Sequence, residues 1–343
     1  STVDSGNLAG HLLTLRAGLR ELPDRPIPEP RLLEGLLDTL SILEESVEGA
    51  TGESVTALRA KMGAALASPP QTPGATWQAL ERWTRDAGSL VAQVGDGGEE
   101  GAVWARALER QCRAARQDLS YLAPWLATQP TTADPVQDEV LTLRRLAEGG
   151  GSAADGPRGL GAQRARRRLE TLEALAARAG DLARMDQDFL FRRHSRLFTV
   201  GYHVQERQRD AGFYDLLASE ARLGVFVAIA QGEVPQESWF ALGRLLTTAG
   251  GDPVLISWSG SLFEYLMPHL VMPTYPGTLL EQTARAAVRR QIEYGRQRDV
   301  PWGISESGYH SVDANLSYQY RAFGVPGLGL KRGLGEDLVV APY

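Results

Sequence analysis

Cysteine, lysine and long apolar runs are scarce in this sequence, which rules out several classes of protein. The single cysteine, Cys112, excludes a disulfide within the chain. It falls in a helical pattern and is predicted to be an inert core thiol. No apolar run approaches the roughly 18 residues that a membrane-spanning helix needs, and no secretory signal is visible. The net charge of −6 disfavours nucleic acid as a partner, because phosphate binding needs a basic surface.

Common catalytic signatures are missing as well. The sequence has no GxSxG elbow, no P-loop and no dinucleotide-binding fingerprint. The five histidines are not spaced as ligands, and a metal site needs three or four converging groups. The glycine-rich stretch at residues 324–329 contains Pro326 and lacks the strand–helix context of a phosphate loop. The sequence therefore predicts no metal and no cofactor site.

The aromatic residues divide the chain into two parts. All eight phenylalanines lie beyond residue 188, and nine of the ten tyrosines lie beyond residue 200. Such a shift in composition predicts a domain boundary near residue 186. We therefore expect a helical scaffold or lead-in domain over residues 1–185 and a second domain over residues 186–343.

The first part has apolar residues at helical spacing almost throughout. The pattern predicts helices within residues 12–22, 32–43 and 55–66, and over residues 76–94, 102–122, 137–146 and 163–185. Prolines end several of these segments, and glycine-rich stretches at 95–101 and 149–161 predict loops. No catalytic motif is found here.

The second part alternates short aromatic segments with helices. Residues 188–191 and 197–202 predict a short β-hairpin with a basic turn. Helices are predicted over residues 214–230, 263–271 and 279–298. Helices joined by aromatic, glycine-rich loops suggest a mainly α fold, with part of an α/α toroid whose site is built on the loops.

Glu306 is the first candidate for chemistry. Pro301 disfavours helical geometry at the preceding residue, so the helix ending near Asp299 predicts a loop position for Glu306. Trp302 and Tyr309 flank the carboxylate and could stack on a sugar face. Gly308 would let the backbone approach a ligand. The alternative is an ordinary exposed glutamate on a loop.

Glu264 is the second candidate, in the segment SWSGSLFEYLMP (257–268). Its apolar surroundings would raise its pKa by desolvation, as a general acid requires. The alternative is a buried structural glutamate, with Ser259 or Ser261 capping the helix. Asp215 is predicted in a first helical turn, where the helix dipole favours a carboxylate. Glu220 is interpreted as structural.

Five stretches of the second part, spread over residues 186–343, are distinctive as a set: LFTVGY (197–202), FYDLLASEAR (213–222), SWSGSLFEYLMP (257–268), PWGISESGY (301–309) and YQYRAFGVPGLGLKRGLGEDLVVAPY (318–343). Through these stretches the second part resembles the glucoamylase-like domain of cyclic β-1,2-glucan synthases. The first part resembles the helical region that precedes this domain.

The resemblance implies a large multidomain protein of the bacterial inner membrane, with this domain on the cytoplasmic side. A separate glycosyltransferase domain would use UDP-glucose and a divalent metal, so no cofactor is expected here. The middle domain would close β-1,2-glucan into rings by transglycosylation. The partners would be the glucan chain and the other domains of the same polypeptide. Both chain ends look cut, so we expect an inactive fragment with an incomplete toroid.

These considerations give a set of candidate site residues. Glu306 and Glu264 are predicted to be catalytic, and a partner carboxylate beyond residue 343 is left open. The predicted substrate contacts are Asp215, Tyr214, Trp258, Tyr265, Trp302, Tyr309 and Gln319. Two other functions remain open, namely a β-glucan hydrolase of the same fold and a noncatalytic glucan-binding or scaffold module.

Overall fold

The computed structural model describes residues 1–47, 49–95, 100–128, 140–149, 156–218 and 220–341. The described residues form two compact units, Ser1–Arg16 with Ala177–Tyr343 and Ala17–Ala176. We call them the carboxyl-terminal unit and the helical unit. The fold is mainly helical with short antiparallel strand pairs, which confirms the predicted fold class. The predicted domain boundary near residue 186 stays a prediction, because packing alone does not show which segments fold independently.

The first eight helices include every helix of the helical unit. They are α1 (Thr2–Glu21), α2 (Arg31–Glu45), α3 (Gly49–Ala67), α4 (Pro73–Val94), α5 (Glu100–Leu122), α6 (Trp125–Thr128), α7 (Leu143–Glu148) and α8 (Pro157–Leu182). Leucines of α2, α4 and α5 line its main core, where Cys112 is fully buried as predicted. The helix predicted over 137–146 is α7, which begins at Leu143, and residues 137–139 lie outside the described residues.

The described residues of the carboxyl-terminal unit add four hairpins and four helices. The strands are β1 (Phe191–Arg192), β2 (Leu197–Phe198), β3 (Tyr202–His203), β4 (Gln208–Arg209), β5 (Leu246–Ala249), β6 (Asp252–Leu255), β7 (Glu306–Val312) and β8 (Tyr318–Ala322). The helices are α9 (Ala221–Ala230), α10 (Glu237–Ala241), α11 (Leu262–Leu266) and α12 (Leu279–Arg298). The strands form four separate antiparallel pairs, β1–β2, β3–β4, β5–β6 and β7–β8. The pair β1–β2 confirms the predicted hairpin. Searched over the described residues, no helix is long and apolar enough to cross a membrane.

Two predicted helices are shorter than the sequence pattern suggested. The helix predicted from residue 214 begins at Ala221, because Asp215 Oδ1 accepts the Leu217 amide at 2.9 Å and holds a turn instead. Asp215 therefore does not lie in a first helical turn. The helix predicted over 263–271 ends at Leu266 and continues as a 3-10 turn containing Pro268. By contrast, α12 has the predicted bounds.

Candidate functional site

The end of α12 sets the path of the chain towards Glu306. Asp299 ends the helix in the left-handed conformation, with φ 54° and ψ 46°. Gln291, buried on α12, then holds the backbone of Ile304 from both sides. Its side-chain oxygen accepts the Ile304 amide at 2.8 Å, and its amide donates to the Ile304 carbonyl at 3.0 Å. Residue 304 is thus fixed two positions before Glu306.

Glu306 begins strand β7, so the predicted loop position is wrong. The ladder to β8 places Glu306 opposite Ala322 and Gly308 opposite Tyr320. Directly paired residues of an antiparallel ladder point to the same face, and alternate residues share that face. Glu306, Gly308 and Tyr320 therefore lie on one face of the hairpin. The chain forms a strand here because β8 provides partners for its backbone.

The Glu306 carboxylate is half-buried and, among the described residues, has one hydrogen-bonded partner. Tyr320 Oη donates to Glu306 Oε2 at 2.8 Å. Burial raises the pKa of Glu306, and the hydrogen bond from Tyr320 opposes that rise. The charges of Glu264 and Glu220 raise the same pKa further. The Glu306 carboxylate is therefore sensitive to the charges of two other carboxylates.

Glu264 is buried, and its carboxylate is surrounded by serines. The hydroxyl of Ser257 donates to Oε2 at 2.9 Å, and the hydroxyl of Ser259 donates to the same oxygen. Ser261 caps α11 in a capping box that Glu264 completes, which confirms one of the two predicted caps. The amides of Ser259 and Ser261 also donate at 3.2 Å. This dense bonding favours the structural alternative, while a catalytic role for Glu264 stays a prediction.

The glycine-rich stretch 324–329 packs against the backbone that surrounds Glu264. A Cβ on Gly324 would lie 1.7 Å from the Ser259 carbonyl oxygen, and one on Gly329 would lie 2.6 Å from the Ser259 carbonyl carbon. Ser257 also exchanges backbone hydrogen bonds with Leu328 and Leu330, both at 3.0 Å. The glycines are therefore needed for close backbone approach, and they hold the serine loop in place.

Glu220, which the sequence analysis interpreted as structural, lies close enough to the site to affect it. It is buried immediately before α9, and its Oε1 accepts from the Asn7 amide at a long 3.5 Å. Its charge raises the pKa of Glu306 and of Tyr320, and also that of Tyr214. Within the part of the chain that the structure describes, its carboxylate has far fewer hydrogen bonds than that of Glu264. In the sequence its one unusual feature is its position directly before an apolar helix.

Asp215 and Tyr214 lie near these glutamates. Both side chains are partly buried. Burial raises the pKa of Asp215 most, and the charge of Glu264 adds to the rise. The pKa of Tyr214 is raised mainly by burial. Their role as substrate contacts stays a prediction.

The other candidate residues divide by exposure. Trp258 is 63% exposed and Trp302 is 46% exposed, so both rings are open to a ligand. Tyr265 is 1% exposed and donates to the carbonyls of Leu255 and Leu328, which favours a core position. Gln319 alternates with Tyr320 along β8 and so points away from the Glu306 face. The side chain of Tyr309 lies outside the described part of the chain.

Tyr318 is an exposed aromatic residue that the sequence analysis did not select. It shares the Glu306 face of β8 with Tyr320, and the two side chains are 72% and 60% exposed. The ring of Tyr318 lies across Gly308, where a Cβ would be 1.5 Å from the tyrosine hydroxyl. Two exposed rings thus extend from Glu306 along one strand. Strand alternation over YQY (318–320) could have revealed this pair.

An apolar cavity of the carboxyl-terminal unit lies apart from the three glutamates. Its volume is about 430 Å³, and its lining includes Phe226, Trp239, Met272 and Arg222. The Arg222 guanidinium is buried and donates to the carbonyls of Glu264 and Tyr265 at the end of α11. None of Glu220, Glu264 and Glu306 lines this cavity. Searched across the described ranges, the side chains contain no group of three or more metal-ligating residues.

Comparison with known proteins adds two matches. The family model of the putative glucoamylases matches residues 212–343. The whole chain is 39% identical, over 356 aligned residues, to Cyclic beta-(1,2)-glucan synthase NdvB of Rhizobium meliloti. The resemblance found in the sequence is confirmed. The chain covers 11% of that synthase, so it corresponds to a small segment of the relative.

Proposed function

We propose that the carboxyl-terminal unit is part of the transglycosylation domain of a cyclic β-1,2-glucan synthase. The domain would cut and rejoin β-1,2-glucan and close the chain into a ring. The observation that carries the proposal is Glu306, half-buried and within electrostatic reach of Glu264 and Glu220, on a hairpin within the segment that matches the putative glucoamylases. Breaking and forming a glycosidic bond needs two carboxyl groups beside the reacting bond.

Glu306 and Glu220 are the proposed catalytic pair. Both influence the same tyrosine hydroxyl, that of Tyr320, and the charge of Glu220 reaches Glu306. Glu264 has its carboxylate occupied by serine hydroxyls and backbone amides, which leaves little capacity for a substrate. We assign it the role of a positioning residue that fixes the serine loop. The aromatic rings of Trp258, Trp302 and Tyr318 would stack on glucosyl units.

The wider setting follows from the same resemblance. The partners would be the glucan chain and the other domains of one long polypeptide, held at the cytoplasmic side of a bacterial inner membrane. UDP-glucose and a divalent metal would act in a separate glycosyltransferase domain. Transfer between glucan chains needs neither, because the bond that is broken provides the energy of the bond that is formed.

The test is transfer on linear β-1,2-glucan by the full-length protein. Glu306→Gln and Glu220→Gln should each lower the rate at least about 100-fold, since each removes an acid, base or nucleophile. Glu237→Gln, which changes an exposed glutamate of α10, is the matched control and should leave the rate unchanged. If cyclisation survives both site substitutions, the proposed pair is wrong.

A second substrate separates the roles within the pair. A β-linked glucoside with a nitrophenyl leaving group needs no proton from the enzyme, so it should restore release of nitrophenol by the variant that lacks the acid. The variant that lacks the other carboxylate should stay inactive on it. If both variants regain full activity on the activated substrate, neither carboxylate attacks or activates the attacking group, which contradicts the proposal.

A further inference from the structure

Tyr320 is linked to Glu306 by the geometry of the β7–β8 hairpin. Gly308 is paired with Tyr320, and Glu306 with the next residue on that face of β8, Ala322. The tyrosine is therefore the diagonal neighbour of the glutamate, a position from which long side chains reach across a ladder. Its hydroxyl donates to Glu306 Oε2 at 2.8 Å. Because Gly308 has no side chain, the ring of Tyr318 can lie across the strand beside this bond.

The direction of this hydrogen bond is fixed by protonation. Partial burial, the hydrogen bond with Glu306 and the charges of Glu306 and Glu220 together raise the pKa of Tyr320 to about 12. The hydroxyl therefore keeps its proton at any pH at which the protein would work. A carboxylate is the matching acceptor, and a hydrogen bond to a charged group is stronger than one between neutral groups.

The other charged groups that affect Glu306 favour its protonated form, whereas Tyr320 favours the charged form. Glu264 approaches from α11 and Glu220 from the residue before α9, and both charges favour protonation of Glu306, as does burial. Among the influences found within the described residues, the Tyr320 hydroxyl alone favours the charged form. One hydrogen bond thus opposes burial and two neighbouring charges.

We propose that Tyr320 is a positioning residue, which fixes the orientation of the Glu306 carboxylate and favours its ionised form beside Glu264 and Glu220. The inference rests on the proposed function only in taking Glu306 as catalytic. The bond itself makes a prediction that does not depend on any substrate. Because the ring of Tyr320 is largely exposed, Tyr320→Phe should remove the hydroxyl without disturbing a packed core.

Carboxyl labelling tests the ionisation directly in the full-length protein. A water-soluble carbodiimide reacts with protonated carboxyl groups, so the pH midpoint of labelling at Glu306, read by peptide mass spectrometry, reports its pKa. Removing the Tyr320 hydroxyl removes the interaction that lowers this pKa, so Tyr320→Phe should move the midpoint to higher pH. Tyr275→Phe changes an exposed tyrosine outside the site and should leave the midpoint unchanged. An unshifted midpoint in Tyr320→Phe overturns the inference.

Kinetics supply the second readout. In Tyr320→Phe the rate of transfer on β-1,2-glucan should fall about tenfold, the effect of one hydrogen bond to a charged group. The limb of the pH profile that reports Glu306 should move upward, whereas a purely structural tyrosine would lower the rate without moving the limb. If the unmodified protein does not act on β-1,2-glucan, the proposed function fails, and the labelling experiment still decides the role of Tyr320.

Discussion

Gly308→Ala is predicted to stabilise the β7–β8 hairpin only when the ring of Tyr318 is absent. The φ of Gly308 is outside the left-handed region, so the backbone itself would accept alanine. A Cβ built on Gly308 would lie 1.5 Å from Tyr318 Oη, 2.0 Å from Cζ and 2.5 Å from Cε1. The ring must therefore leave its position across the strand in Gly308→Ala.

The sizes of the opposing effects can be worked out from this geometry. Glycine in a strand interior is less favourable than alanine by about 0.5–1 kcal/mol, so Gly308→Ala should stabilise the hairpin by that amount when Tyr318 is replaced by alanine. With the tyrosine present, displacement of the ring costs a cross-strand contact worth about 0.2–1 kcal/mol. The ring is 72% exposed, so it can move away without opening a core. The gain and the loss should then nearly cancel.

A double-mutant cycle measures the coupling between Gly308 and Tyr318. Its readout is hydrogen exchange of the β7–β8 peptides, followed by mass spectrometry. Gly308→Ala should slow exchange severalfold in the Tyr318→Ala background and change it little in the native background. Coupling of about 0.2–1 kcal/mol is expected, the value of the cross-strand contact that the displaced ring loses. An equal effect of Gly308→Ala in both backgrounds would refute the idea that the glycine is there to accommodate the ring.

Two further predictions concern the frame of the site and the helical unit. Gln291→Leu would leave the amide and carbonyl of Ile304 unpaired in a buried position. It should destabilise the segment before Glu306 by about 2–5 kcal/mol, which would be measured as faster hydrogen exchange in that segment. Gln297→Leu, at an exposed position of the same helix, is the control, and an equal effect of the two would contradict the reasoning. Burial raises the pKa of the Cys112 thiol to about 12, helped by the charge of Glu109, so alkylation at pH 8 should be negligible until the chain is unfolded in urea. Rapid labelling of the folded chain would show that the thiol is accessible.

The helix that leads to the site was predictable because local signals agree there. Residues 279–298 combine helical periodicity with Thr278, whose side chain accepts the Glu281 amide at 3.3 Å, and with Asp299 and Pro301 at the other end. The start of α9 was predicted wrongly because Asp215 is compatible with two local structures. An aspartate favours the first turn of a helix, and it equally favours a turn in which its side chain accepts a nearby amide.

The candidate site shows a different limit of sequence analysis. Glu306 was identified as a candidate from its neighbours in the sequence. Its strand conformation depends on pairing with β8, and the residues just before Glu306 carry no local signal for that pairing. The apolar residues around Glu264 predicted its burial correctly, since the residue is 5% exposed. They could not reveal that the serines of the same segment fold back onto its carboxylate. Glu220 was passed over because its proximity to Glu306 is created by the tertiary fold.

The product that the full-length protein makes from linear β-1,2-glucan tests the central claim most directly. Chromatography and mass spectrometry distinguish a ring from a linear chain, because closing the ring removes one molecule of water relative to the linear chain of the same length. We predict rings from the native protein and none from Glu306→Gln or Glu220→Gln. Short linear oligosaccharides alone would indicate a hydrolase, and binding of glucan without any turnover would indicate a noncatalytic module; either result would contradict the proposed transglycosylation.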